Sequence, residues 1–285
     1  MADPQRPTFD ATYYATGCGQ PYVRNAFWLA DRDRIAQRIV QDIGPTSVMD
    51  AGCAMGFLVE RLRAHHVDAW GVDISEYAIA QAHDSVKAFC RVGSVADPFG
   101  QRFDLIVTIE VLEHMPQPEA ERAIANLCAH SNDVLFSSSP DDYAEATHIN
   151  VQPPEYWVEQ FARHGFYADL DFDASFITHW AVRFRKTNAP PQRVAKEYAR
   201  KLWLLHRENT DLRRATAQLR QQLANAQTQT PSLADIEHLN NQITTLGHER
   251  DQMRQRVQAY ERGKFMRFMR WLKKTLPSKA GKARD

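Results

Sequence analysis

The sequence predicts an α/β fold: a doubly wound, mostly parallel sheet with a terminal antiparallel strand pair, followed by a helical coiled-coil extension. Three observations predict it. Short apolar runs of strand type alternate with helical periodicity up to about residue 187. A turn of small residues follows the first run, and a carboxylate ends the second. Beyond Pro190-Pro191 the composition shifts to Gln, Arg, Leu, Ala and Glu.

The elements follow in order. Residues 25–43 carry Phe27, Leu29, Ile35 and Ile39 at helical spacing and stop at Gly44. Ser47–Ala51 is a short strand, and Phe57–Ala64 is a helix. Ala69–Ile74 is the second strand, Tyr77–Lys87 a helix and Phe89–Gly93 the third strand. Phe103–Ile109 is nearly all apolar, as expected of a strand buried on both faces. Pro118–Ala129 reads as helix, Asp133–Ser138 as strand, and Pro154–His164 as a helix with Pro at its start and Gly165 at its end. Phe166–Phe172 and Phe176–Phe184, joined by Asp-Ala-Ser, read as the terminal strand pair. Parallel sheets of this kind bind ligands beyond the carboxyl ends of their strands, where strand order reverses.

Composition bounds the function. The chain has 285 residues, 44% hydrophobic and 25% charged, enough for one sizeable core plus an appendage. No apolar run reaches the ~18 residues a membrane span needs. The polar start, Met1 to Phe9, has no secretory character. Cys18, Cys53, Cys90 and Cys128 lack metal or redox spacing and read as reduced thiols of a cytoplasmic protein. The zero net charge hides an asymmetry. Residues 1–188 hold 15 Lys and Arg against 26 Asp and Glu, whereas residues 189–285 hold 20 against 9.

The turn after the first strand is Asp50-Ala51-Gly52-Cys53-Ala54-Met55-Gly56. Its small residues admit a ligand close to the backbone, and the next helix offers free N–H groups. The spacing is G-x-A-x-G, not the G-x-G-x-x-G of dinucleotide folds. Asp73 closes the second strand, 21 residues beyond Gly52, where a carboxylate can accept both hydroxyls of a ribose.

Taken with DAGCAMG, GVDIS and FDLIVTIEVLEHMP in this order, the sequence resembles the class I S-adenosylmethionine-dependent methyltransferases, a Rossmann-like family, over about residues 45–187. The resemblance implies that Asp50, Gly52, Ala54 and Gly56 surround the methionine part of the cofactor, and that Glu110 lies at its amino end. It places Asp73 on the ribose, Ile74 on the adenine, and Ser94 and Val95 along the adenine edge. The sequence departs from the family in three places. Ala54 replaces the usual middle glycine, Ser94 stands where many members have Asp, and His130-Ser131-Asn132 replaces Pro-Gly-Gly before the fifth strand.

Glu110-x-x-Glu113-His114 follows the fourth strand, and His148 lies in the loop after the fifth. Residues three and four apart on a helical turn share a face, so these groups can converge. The set resembles that of ubiquinone-pathway O-methyltransferases and of enzymes methylating the terminal 2′-hydroxyl of small RNAs. That resemblance implies a divalent metal (Mg, Mn or Zn) held by Glu110, Glu113, His114 and His148. Two metal-free readings stay open: a catalytic group of Glu113, His114 and His148 in which His114 or His148 is the general base and Glu113 caps a helix, or a merely packed His114.

Residues 1–24, with Tyr13-Tyr14, Gly17, Gly19 and Tyr22, form either a lid or a packed arm ahead of the methyltransferase domain at 25–187. In residues 188–262, Leu205, Leu212 and Leu219 recur every seven residues, and Ile236, Leu239, Ile243 and Leu246 continue a 3-4 spacing after a break at 228–231. This reads as a coiled coil in two segments that makes a homo-oligomer, or as a helix folded back. Residues 263–285 begin with GKFMRFMRWLKKTL, a basic helix with an aromatic face suited to an anionic membrane. A methyltransferase domain with such a tail resembles bacterial enzymes of surface-glycan modification. The expected acceptor is therefore a hydroxyl of a glycan or lipid-linked saccharide, with a quinone- or phenol-type hydroxyl or a non-catalytic cofactor-binding scaffold as alternatives. The expected location is the cytoplasm, with peripheral contact to the inner face of the cell membrane. The acidic domain argues against nucleic acid as partner.

Overall fold

The computed structural model describes residues 7–228 and 233–262. The chain divides into two compact units, at Asn188 and Ala189. The basic segment 263–276 lies outside the described residues.

The first unit begins with helix α1 (Ala11–Thr16) and α2 (Ala26–Asp42), followed by strand β1 (Ser47–Ala51) and α3 (Phe57–Ala64). Then come β2 (Asp68–Asp73), α4 (Glu76–Ala80), α5 (Asp84–Lys87), β3 (Cys90–Val92) and β4 (Leu105–Ile109). A 3-10 turn (Leu112–His114) leads to α6 (Gln117–His130), β5 (Asp133–Ser137), α7 (Pro154–Ala162), β6 (Phe166–Ala168) and β7 (Val182–Lys186). The seven strands lie in the order β3-β2-β1-β4-β5-β7-β6. β7 runs antiparallel to both β5 and β6, and the other pairs are parallel. Strand order therefore reverses between β1 and β4, and a crevice opens beyond their carboxyl ends.

Both faces of the sheet are buried, and the strand sequences show why. Side chains alternate between faces along a strand. Met49, Ile106, Val134 and Phe136 pack on one side with Ile124, Leu127, Trp157 and Phe161 from α6 and α7. Val48, Leu105, Val107 and Leu135 pack on the other with Ile35, Ile39, Leu58 and Leu62 from α2 and α3. Two apolar faces demand apolar residues at successive positions, which makes β4 read as a continuous run.

Three expected elements differ, the strand expected over Phe166–Phe172 ending already at Ala168. The helix expected over Tyr77–Lys87 is two helices, because His83 adopts extended backbone and its ring accepts the Ser85 N–H to start α5. The expected strand Phe176–Phe184 begins only at Val182. Its early apolar residues serve the core instead: Ala174 and Phe176 are buried with the α2 side chains, the Arg38 guanidinium lies 4.7 Å from the Phe176 ring, and Arg34 donates to the Phe176 carbonyl. The link between β6 and β7 thus spans 169–181, far longer than Asp-Ala-Ser.

The second unit contains α8 (Pro191–Thr228) and α9 (Leu233–Arg262), which pack against each other. Leu202 and Leu205 meet Met253 and Val257, while the Asn209 amide donates to the Arg250 carbonyl at 3.4 Å. Rising numbers on one helix meet falling numbers on the other, so the pair is an antiparallel hairpin. Leu205, one of the heptad leucines, is covered within the chain. Among the described residues no helix is long and apolar enough to cross a membrane.

Candidate active site

A cavity of about 1290 Å³ opens at the carboxyl ends of β1, β2 and β4. Gly52, Ala54, Asp73, Ile74, Ser94, Val95, Glu110, His114 and His148 all reach its wall. Three expected residues do not. Asp50 is buried beneath it, Glu113 is fully buried behind His114, and Gly56 starts α3 in the left-handed conformation.

The turn is built by backbone geometry. Gly52 has φ +94°, and a Cβ there would overlap the Val111 side chain. The Gly52 and Cys53 N–H groups donate to the Val72 carbonyl at 2.8 and 3.1 Å, which ties the turn to β2. Ala54 also has positive φ, at 47°, and its N–H donates to Asp73 Oδ2 at 2.8 Å. The Ser75 N–H donates to Asp73 Oδ1 at 2.8 Å. Burial raises the Asp73 pKa, and those two N–H groups pull it back down. The carboxylate is thereby fixed in orientation at the cavity wall before any ligand arrives.

Arg32, which the sequence does not single out, also reaches this cavity. It lies in α2, lines the cavity, and packs 5.5 Å from the Trp28 ring. Burial raises the Asp50 pKa to about 7 although the Arg32 guanidinium works against the shift. In sequence, Asp31-Arg32-Asp33-Arg34 looks like an ordinary charged helix face, and no spacing singles out one arginine. Trp180 was also missed. It sits in the long β6–β7 link, lines the cavity, and donates its indole N–H to Glu110 Oε1 at 2.9 Å. Glu110 itself has φ +53°.

Glu113, His114 and His148 come together. Their ligating atoms lie within 4.8 Å of one another, and Glu113 Oε2 is buried without a hydrogen-bond partner. Glu110 is not in this group. Glu113 Oε1 accepts the Ser139 N–H at 3.2 Å. Burial, reinforced by the Glu110 charge, raises the Glu113 pKa well above the usual carboxylate range. His114 Nδ1 lies 3.2 Å from the Thr147 carbonyl, which can only accept, so Nε2 carries the lone pair. Burial and the charge of His148 hold the His114 pKa down to about 4. The two imidazole rings are 4.7 Å apart. His148 Nδ1 faces the Asp142 carbonyl at 2.9 Å, and Nε2 faces Glu145 Oε2 at 3.2 Å. Both ring nitrogens of His148 are thus engaged by oxygen acceptors.

The N-terminal arm closes over this end. Phe9 and Tyr13 meet the His114 ring nearly perpendicular at 5.5 and 6.1 Å, and the Ser75 hydroxyl donates to the Phe9 carbonyl at 2.5 Å. Tyr14 stacks with Tyr77 at 5.9 Å.

A family model described as a methyltransferase domain matches residues 22–170. Over 143 residues the chain is 27% identical to a ubiquinone biosynthesis O-methyltransferase of Methylococcus capsulatus, a match spanning 47% of this chain and 60% of that protein. It is 30% identical over 110 residues to a magnesium-protoporphyrin O-methyltransferase of Rhodobacter capsulatus, spanning 36% of this chain and 49% of the relative. The chain thus spans 60% or less of the length of these curated relatives. A solved magnesium protoporphyrin IX methyltransferase from Synechocystis superposes with TM-score 0.48 at 18% identity, covering 62% of this chain and 97% of that one. The family match takes in the turn, Asp73 and the Glu113-His114 segment, and the sheet is mostly parallel with a terminal antiparallel pair, as expected. The chain belongs to the methyltransferase-domain family, on the class I S-adenosylmethionine-dependent fold.

Proposed function

We propose that this protein is an S-adenosylmethionine-dependent O-methyltransferase acting on a hydroxyl of a surface glycan or lipid-linked saccharide. One observation carries the reading: a single cavity joins the Gly52 turn and Asp73 to the His114–His148 pair. S-adenosylmethionine, when bound, supplies an electrophilic methyl group on a sulfonium. The residues present fit it. Asp73 is oriented to accept ribose hydroxyls, and Ile74, 43% exposed, offers an apolar surface for a base. Ser94 and Val95 border the same surface. Arg32 supplies a guanidinium for a carboxylate. The Gly52 backbone admits close approach because no Cβ intervenes.

The acceptor end has one task, to align an oxygen and remove its proton. His114 Nε2 carries a lone pair within the cavity wall and can take the acceptor proton. A specific observation favours a second route to the same end. The unpartnered Glu113 Oε2 with His114 and His148 forms a donor set suited to a divalent cation, which would lower the acceptor pKa. Activity that survives chelation selects the metal-free route.

The basic segment 263–276 as a membrane anchor and the extension after residue 188 as an oligomer contact remain parts of this proposal. Mass spectrometry of cellular glycans with and without the protein tests the acceptor. The reading expects loss of a 14-Da increment, about one methylene, in its absence. An unchanged glycan profile with a methylated quinone or phenol lost instead selects the small-molecule acceptor.

A further inference from the structure

The surface proposed for the base is bordered by Ser94 and Val95, just beyond β3. This is the least supported part of the sheet. β3 has three residues, lies at the sheet edge and pairs with β2 alone. Residues 93–104, which follow it, contain no helix or strand. A connecting segment of this kind keeps a fixed shape only when groups outside it bind its backbone.

Asn126 does so. It lies in α6, is 8% exposed and does not line the cavity. Its Nδ2 donates to the Val95 carbonyl at 2.9 Å and to the Asp97 carbonyl at 2.7 Å. Carbonyl oxygens only accept, so the group between these two has to be the amide nitrogen, with one hydrogen for each. The turn adds two bonds of its own. The Ala96 N–H donates to Ser94 Oγ and the Asp97 N–H to the Ser94 carbonyl, both at 3.1 Å. Val95 and Phe99 share the apolar core with Ala123 and Leu127, the neighbours of Asn126 on α6. Asparagine is a weak helix former, because its side chain competes for backbone groups. Alanine would suit α6 better and would leave the two carbonyls without this donor. The amide therefore serves the turn and not the helix.

We infer that Asn126 is a positioning residue for the cofactor: its amide sets the turn at 94–97 in the shape that receives the base, without touching the ligand. The inference rests on the methyltransferase reading and adds a residue outside the cavity on which cofactor affinity depends.

Calorimetry with S-adenosylhomocysteine tests it on the full-length wild type, Asn126→Ala and Asn126→Asp. Asn126→Ala removes both donors and should weaken binding about fivefold. Asn126→Asp keeps the shape but sets an oxygen against two carbonyls, and should weaken binding about tenfold or more near pH 8. A buried carboxyl in that place keeps its proton to higher pH than a free one. Once protonated it donates to one carbonyl, so the affinity of Asn126→Asp relative to wild type should recover several-fold as pH falls to about 5. Titration of Asp73, Asp97 and His130 is common to both proteins and cancels in that ratio. A merely structural role lowers affinity without such recovery. Folded variants that bind as the wild type does, or a deficit in Asn126→Asp that is the same at both pH values, overturn the inference. Should neither variant fold, hydrogen exchange on the unliganded wild type decides. The Ala96 and Asp97 amides should exchange at least about a hundredfold more slowly than in an unstructured chain, and faster exchange overturns the preset turn. Absence of binding by the wild type overturns the methyltransferase reading instead, so the two failures are distinguishable.

Discussion

Gly52 offers a quantitative test of how the turn is built. Its φ of +94° is a conformation that L side chains rarely adopt, and a Cβ there would press into Val111. Gly52→Ala therefore carries two separable costs. Backbone strain at such a φ costs about 1–3 kcal/mol, and forcing a methyl group into a packed neighbour costs about 1–3 kcal/mol more. The single variant should lose roughly 2–6 kcal/mol of unfolding free energy, the sum of those two ranges. Val111→Ala removes the obstructing methyl groups but not the strain. In the double variant the clash disappears, so the two changes should couple favourably by about 1–2 kcal/mol. Urea denaturation of the four proteins reads the cycle. A Gly52→Ala loss below about 0.5 kcal/mol, the level of an ordinary surface change, would refute the strain argument. Absence of coupling would refute the clash.

Further outcomes follow from other parts of the molecule. The Asp50 pKa is raised to about 7 in the fold, so its contribution to stability is full below pH 3.8 and is lost as pH rises through about 7. Asp50→Asn should flatten the decline in stability between about pH 4 and pH 7, and an unchanged slope on chemical denaturation contradicts the assignment. Leu205→Ala opens the apolar contact with Met253 and Val257 and should cost about 2–4 kcal/mol in the hairpin; native-state hydrogen exchange on α8 and α9 reads this, and unaltered protection contradicts the packing. Trp180→Phe keeps an aromatic ring but removes the N–H that Glu110 accepts, and by leaving the Glu110 carboxylate unanchored at the cavity wall should weaken S-adenosylhomocysteine binding a few-fold. Calorimetry checks it, and unchanged affinity separates Glu110 from the cofactor.

Where local sequence sets local geometry, the fold was legible. β4 could be read because a strand between two helical layers must be apolar at every position. The Gly52 turn could be read because a positive φ and a close neighbour leave few residue choices, and Asp73 because it ends the strand beside that turn. Residues 169–181 were misread because Phe172 and Phe176 have strand chemistry but pack as core plugs against α2, a long-range contact. The break between α4 and α5 carries no Gly or Pro; a histidine cap makes it. Arg32 and Trp180 enter the site from elements remote in sequence, and neither stands in a motif. The leucine spacing after residue 188 marked a helical face but not its cover, which for Leu205 is the same chain.

Asp73 is held by two N–H groups at the head of the cavity, and the account requires it to grip a ribose there. Isothermal titration calorimetry of the purified protein with S-adenosylhomocysteine measures this directly. The account predicts saturable heat for the wild type and at least a tenfold weaker affinity for Asp73→Ala, equal to about 1.4 kcal/mol or more. No heat with the wild type, or equal affinity in the folded variant, would contradict it.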